Sequence, residues 1–144
     1  MKRLMLLCTI AGRLAAIPAH AIRSVIEIEA VEPIPGTAPC IAGLTALRSQ
    51  ALTVIDCRVA LGFESAGDPV GSRAAVIAED GHLYALVVDD ASDVEEIESE
   101  IEQLRGGFGK QWADAAVGMV ETPRGPAVIL DIPSLLGLDR SEAA

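Results

Sequence analysis

The sequence predicts a mainly β protein with a few short helices, its strands closing fully or partly into barrels. Three observations lead there. About seven or eight short apolar runs recur along the chain, separated by glycine, proline and aspartate. Two pairs of runs are joined by tight-turn sequences, Glu79-Asp80-Gly81-His82 and Pro123-Arg124-Gly125. The chain is 51% apolar but only 3% aromatic, so a core must be assembled from Val, Ile, Leu and Ala. Barrel closure is how such short strands hide their edges, and 144 residues suffice for one domain or for two small barrels packed as a unit.

Each element has its own warrant. Leu4–Ala11 and Leu14–Ile17 read as strands around a Gly12-Arg13 turn. Pro18 suits a first helical turn, and Ala19, Ile22, Val25 and Ile26 recur at three- and four-residue spacing, which predicts a short helix over 19–26. Glu32-Pro33-Ile34-Pro35-Gly36 is an extended connector. Ile41–Leu47 is expected as a short helix or turn, Ala51–Ile55 as a strand, and the glycine-rich stretch 61–72 as an exposed loop. Ala74–Ala78 and Leu83–Asp89 form the clearest hairpin, and Val117–Glu121 with Ala127–Ile132 form another. Between them, Asp93–Arg105 carries a capping-box pattern, an apolar stripe of Val94, Ile97, Ile101 and Leu104, and a stop at Gly106-Gly107. It is expected to be the longest helix. Pro133–Leu136 closes the chain with a helical turn.

Charge and chemistry narrow the function. A formal net charge of −10 and the absence of a basic stripe argue against nucleic acid and anionic membranes. Cys8, Cys40 and Cys57 lack CxxC spacing and read as reduced thiols used as small apolar residues. His20 and His82 stand apart from other ligands, so no metal is expected, and no cofactor either. Nothing assembles a nucleophile, a base and an orienting group, which leaves binding rather than catalysis. Phe108 and Trp112 are the one pair of nearby large aromatics, suited to an interface or to core packing. Arg48 is the only charge between Glu32 and Asp56, a lone cation in an apolar neighbourhood and a candidate contact point. The start, Met1-Lys2-Arg3 with Leu4–Ile10 and then Ala19-His20-Ala21, mimics a secretory signal, although Gly12 and Arg13 interrupt it. The alternative it supports is a secreted or periplasmic β-rich binding module. No run is long enough to insert in a bilayer.

Three stretches resemble the CheW-like domain family. Gly43–Gly62 is similar to the family's G-x-x-N-L-R-G segment followed by a strand, an acidic residue and L-R. Leu86-Val87-Val88-Asp89-Asp90-Ala91-Ser92-Asp93-Val94 resembles V-V-D-x-V-x-D/E-V. Gly118–Val120 through Ala127–Leu136 resembles the terminal hairpin and its L-D-I-x-x-L-L ending. Leu14–Ile26 with the proline connector fits the family's early hairpin. Ala46, Ser49 and Thr53 stand where the family usually has Asn, Gly and Pro.

The resemblance implies two SH3-like five-stranded β-barrels in a single domain over 1–138, with 139–144 as a frayed tail. It implies no catalysis, and a cytoplasmic chemotaxis adaptor joining a CheA-type histidine kinase regulatory domain to the chemoreceptor cytoplasmic tip. The implied kinase contact is Leu47, Arg48 and Ser49, with Asp56 and Arg58 after the following strand. The implied receptor groove lies between barrels, lined by Ala19, Ile22, Val25 and Ala91.

Overall fold

The structure is a computed structural model that describes residues 2–104, 106, 107 and 109–137, with Asp93 by its backbone alone. The apolar runs become ten strands in two five-stranded sheets. The first sheet takes β1 (Arg3–Ile10), β2 (Arg13–Pro18), β8 (Asp90–Ile97), β9 (Ala116–Thr122) and β10 (Gly125–Leu130). The second takes β3 (Ile22–Glu27), β4 (Ile41–Leu47), β5 (Gln50–Asp56), β6 (Arg73–Glu79) and β7 (His82–Val88). Their orders are β8-β1-β2-β10-β9 and β3-β6-β7-β5-β4. Each joins a three-stranded antiparallel run to a hairpin through one parallel pair, β2 with β10 and β5 with β7. The chain leaves the first barrel after β2, builds the whole second barrel, and returns at β8.

Alternation explains why the strands read as continuous apolar runs: many are buried on both faces. In β1, Met5 and Leu7 fill the first barrel, while Leu6, Cys8 and Ile10 face a core shared between barrels. In β6, Ala74 and Val76 fill the second barrel, while Ala75 and Ile77 face the shared core. That shared core also takes Trp112 from α2 (Lys110–Ala115), Cys57 from α1 (Cys57–Ala60) and Leu135 from α3 (Ile132–Leu136). Trp112 is thus a core residue rather than an exposed anchor; Phe108, expected beside it, lies outside the described residues, as do Arg105 and the tail after Gly137. The signal-like start is the interior strand β1, with Leu7, Cys8 and Ile10 fully buried. Loss of residues 1–21 would remove β1, β2 and one wall of the shared core.

Each sheet is drawn round by one isolated bridge. Glu32 pairs with Leu44 on one barrel, and Glu102 with Met119 on the other. Beside each bridge stands a glycine, Gly43 or Gly118, where a Cβ would run into the carbonyl of the bridging glutamate.

Three expectations fail. Ala19–Ile26 is not a helix: Ala19–Ala21 is one 3-10 turn, and β3 follows. A bulge explains the misreading. Ile22 pairs with Ile77 but Ser24 with Val76, so Arg23 is extra, and Ile22 and Val25 reach one face at helix-like spacing. Ile41–Leu47 is strand β4, since its residues pair in register with β5. The described part of the helix expected over Asp93–Arg105 is not helical either. Its first part pairs with β1 as β8, and Glu102 bridges to Met119 further on. A second bulge, opposite Leu6–Cys8, breaks the two-residue period there.

Candidate functional site

The β4–β5 hairpin presents Leu47, Arg48 and Ser49 together. Leu47 and Gln50 are its last pair, leaving a two-residue loop. Arg48 and Ser49 both take positive φ, 51° and 71°, the geometry that matches strand twist in tight hairpins and favours Asn and Gly. Neither residue suits it, so the sequence tolerates local strain to hold an arginine at the tip. Ser49→Gly is therefore expected to stabilise the protein by about 0.5–1 kcal/mol, read as a rise in the denaturation midpoint at unchanged slope; an unchanged midpoint would show that the tip is unstrained. Arg48 is exposed and makes no ion pair among the described residues.

Asp56 and Arg58 do not join that tip. β5 runs from Gln50 beside the tip to Asp56 at its far end, about 20 Å of extended chain. Both are occupied in holding the fold. The Asp56 carboxylate caps α1, accepting from the backbone N–H of Arg58 at 3.0 Å and of Val59 at 3.4 Å. The Arg58 guanidinium grips Asp89 with two parallel bonds, Nε to Oδ1 at 2.9 Å and a terminal nitrogen to Oδ2 at 3.0 Å. Oδ2 also accepts from the backbone N–H of Ala11 at 2.7 Å. The clamp thus ties the ends of β5 and β7 to the β1–β2 turn, one barrel to the other. Arg58, first, and the Ala11 N–H hold the Asp89 carboxyl below the ordinary carboxylate value, against a smaller opposing effect of burial. The stabilisation is complete above the unfolded carboxyl's pKa and is lost as pH falls through the lower folded value. Asp89→Asn is expected to melt earlier than the parent at neutral pH, and the two melting curves should converge as pH drops below the carboxylate range. Parallel curves throughout would remove the clamp from the acid response.

The apolar residues expected in a groove lie along the seam between barrels. Val25 pairs with Ala75 and Ile22 with Ile77, so both share the face of β6 that lines the common core. Ala91 pairs with Cys8 and Val94 with Leu6, which puts them on the matching face of β8. β3 and β8 are the outer strands of their sheets, and β8 comes against β6. Ile22 and Ala91 pack partly onto the core, while Val25 and Val94 remain exposed at 37% and 47%. Ala19 sits in the 3-10 turn that leads from β2 into β3. Val94 does not stand out here from sequence alone, because its spacing with Ile97, Ile101 and Leu104 reads as a helical stripe.

Cys8 and Cys57 are poor nucleophiles in this setting. Burial pushes Cys8 up to about 12 and Cys57 well above its ordinary value. Among the described residues no group of three or more His, Cys, Asp or Glu side chains could hold a metal ion. No helix among them is long and apolar enough to cross a membrane.

Two barrels thus share one core, with an arginine tip on one and an apolar seam between them. The chain belongs to the CheW-like domain family, whose sequence model matches residues 4–140, and so to the adaptors and scaffolds of chemotaxis. Its fold is similar to the crystal structure of the scaffolding protein TtCheW from Thermoanaerobacter tengcongensis, at 22% identity over 91% of this chain and 90% of that one, with a TM-score of 0.80. A search of curated protein sequences gave no match.

Proposed function

We propose that the protein is a non-catalytic cytoplasmic adaptor that couples chemoreceptor cytoplasmic tips to the regulatory domain of a CheA-type histidine kinase, as one domain and without nucleic acid, cofactor or membrane insertion. The observation that carries this reading is the pairing of family membership over nearly the whole chain with two separate exposed surfaces. The kinase contact is Leu47, Arg48 and Ser49. Asp56 and Arg58 support it from a distance by fixing the end of β5. The receptor helix lies along Ala19, Ile22, Val25 and Ala91, its apolar stripe against theirs. Holding both partners at once raises the local concentration of one beside the other, so each contact can be weak while the assembly persists.

The test separates the surfaces. Arg48→Glu is expected to weaken kinase binding about thirtyfold or more, as loss of a central arginine anchor does, with receptor binding unchanged. Val25→Asp is expected to do the reverse; it is a cleaner probe than Ile22, which packs onto the core. Equal kinase affinity in Arg48→Glu, measured on a variant that melts like the parent, would remove the tip from the contact.

A further inference from the structure

Beside the arginine tip, the second barrel ends in a cleft of about 510 Å³. Its floor is apolar: Leu52 and Val76, both buried in the barrel interior, with the half-buried Leu83. Its rim is cationic, carrying Arg23 and Arg48 with Gln50. Arg23 is the extra residue of the β3 bulge, and bulges redirect a side chain that a regular strand would have aimed elsewhere. Both arginines are exposed, and neither makes an ion pair among the described residues, whereas Arg58 is gripped by Asp89. Glu79 and Asp80 of the neighbouring β6–β7 hairpin carry negative charge next to the lining residues Ala78 and Gly81, yet pair with neither arginine. On a chain of net charge −10, the rim of this cleft carries two exposed guanidinium groups that no ion pair among the described residues takes up.

We infer that this cleft receives an acidic–apolar segment of the kinase regulatory domain, one large apolar side chain seated over Leu52, Val76 and Leu83 and carboxylates on its flanks taken by Arg23 and Arg48. The inference rests on the kinase reading of Arg48 and gives it a chemistry and a second arginine. An apolar side chain entering alone would strip water from two cations and give nothing back. Flanking carboxylates replace that water with charge-assisted bonds, and a guanidinium accepts a carboxylate through a planar fork that lysine lacks. The apolar floor excludes water beneath the pair, which strengthens the attraction.

The experiment titrates the kinase regulatory domain into the full chain and into Arg23→Glu, Arg23→Lys and Arg48→Glu, each verified by circular dichroism and melting. Methyl NMR of Leu52, Val76 and Leu83 accompanies the titration. Arg23→Glu is expected to weaken binding about tenfold or more, Arg23→Lys by less, and the floor methyls to shift on binding. If Arg48→Glu impairs binding while Arg23→Glu does not, or if the floor methyls stay put, the inference falls and the kinase reading stands. No binding by the unaltered chain overturns both. If Arg23→Glu instead changes only the chain's own sedimentation mass, the occupant is a second copy, its exposed Ile101 flanked by Glu100 and Glu102, and the inference is overturned.

Discussion

Gly118→Val is expected to cost about 3 kcal/mol and to open the first barrel along one edge. A Cβ at Gly118 would lie 2.5 Å from the carbonyl oxygen of Glu102 and 2.8 Å from the Ile101 side chain. The oxygen belongs to backbone that is itself fixed. Glu102 and Met119 exchange both bonds of the closing bridge, each at 2.8 Å, so the clash can be relieved only by parting them. Gly118 does not have a positive φ, so the effect is steric rather than torsional. Gly43 repeats the arrangement at the other closure, between bonds of 2.8 and 2.9 Å linking Glu32 and Leu44. There a φ of +150° adds backbone strain to the clash. Gly106 is the control, because a Cβ there meets nothing within 4 Å. Gly106→Ala should leave the denaturation midpoint in place, while Gly118→Val lowers it and speeds amide exchange at Glu102 and Met119. A Gly118 variant as stable as the Gly106 one would show that the barrel does not depend on this contact.

The parts of this fold that were legible in the sequence are those set by near neighbours. The Asp80-Gly81 turn announced its hairpin because only its own residues decide its φ values, 55° and 81°. The run Leu4–Ala11 announces a strand because residues on both faces of β1 are buried and no charged residue interrupts it. Where the period breaks, the reading failed. The bulge at Arg23 gives β3 a helix-like spacing, and the acids of β8 read as the wet side of a helix, although Glu95 and Glu96 are neighbours on an outer strand and point to opposite faces. Asp56 was visible as an acid at a strand end; its role as a cap needed the following residues to turn helical, and nothing in Cys57–Ala60 insists on that. Arg58 and Asp89 are 31 residues apart, and no local pattern says that they meet. Arg48 stands out because its surroundings are uncharged in sequence. Arg23, its companion across the cleft, was missed because its significance lies in tertiary placement. Ser49, where the family usually has Gly, takes a positive φ of 71°, while Ala46, where it usually has Asn, lies in β4 opposite Ala51.

The seam between barrels gives the second large effect. Trp112, 1% exposed, packs among Leu6 and Ile17 from one barrel and Ile55 and Leu86 from the other, and Arg13 lies over its ring at 5.6 Å from the centroid. Trp112→Ala would leave a void that two rigid sheets cannot close, at a cost of about 3–5 kcal/mol. That is a large share of the roughly 5–15 kcal/mol that domains possess. Trp112→Phe keeps most of the ring and forfeits no hydrogen bond to the protein, since the indole N–H has no partner among the described residues; about 1–2 kcal/mol is expected. Because one core serves both barrels, the parent and both variants should unfold in a single transition by circular dichroism. Two transitions, one of them unmoved by Trp112→Ala, would mean that each barrel stands on its own interior. The same seam carries the proposed receptor groove, whose Ile22 and Ala91 rest on the core that Trp112 fills, while the Arg48 tip packs on none of it. Trp112→Phe, still folded, should therefore weaken receptor binding more than kinase binding; an equal loss at both would mean that the variant disturbs the whole molecule and not the seam.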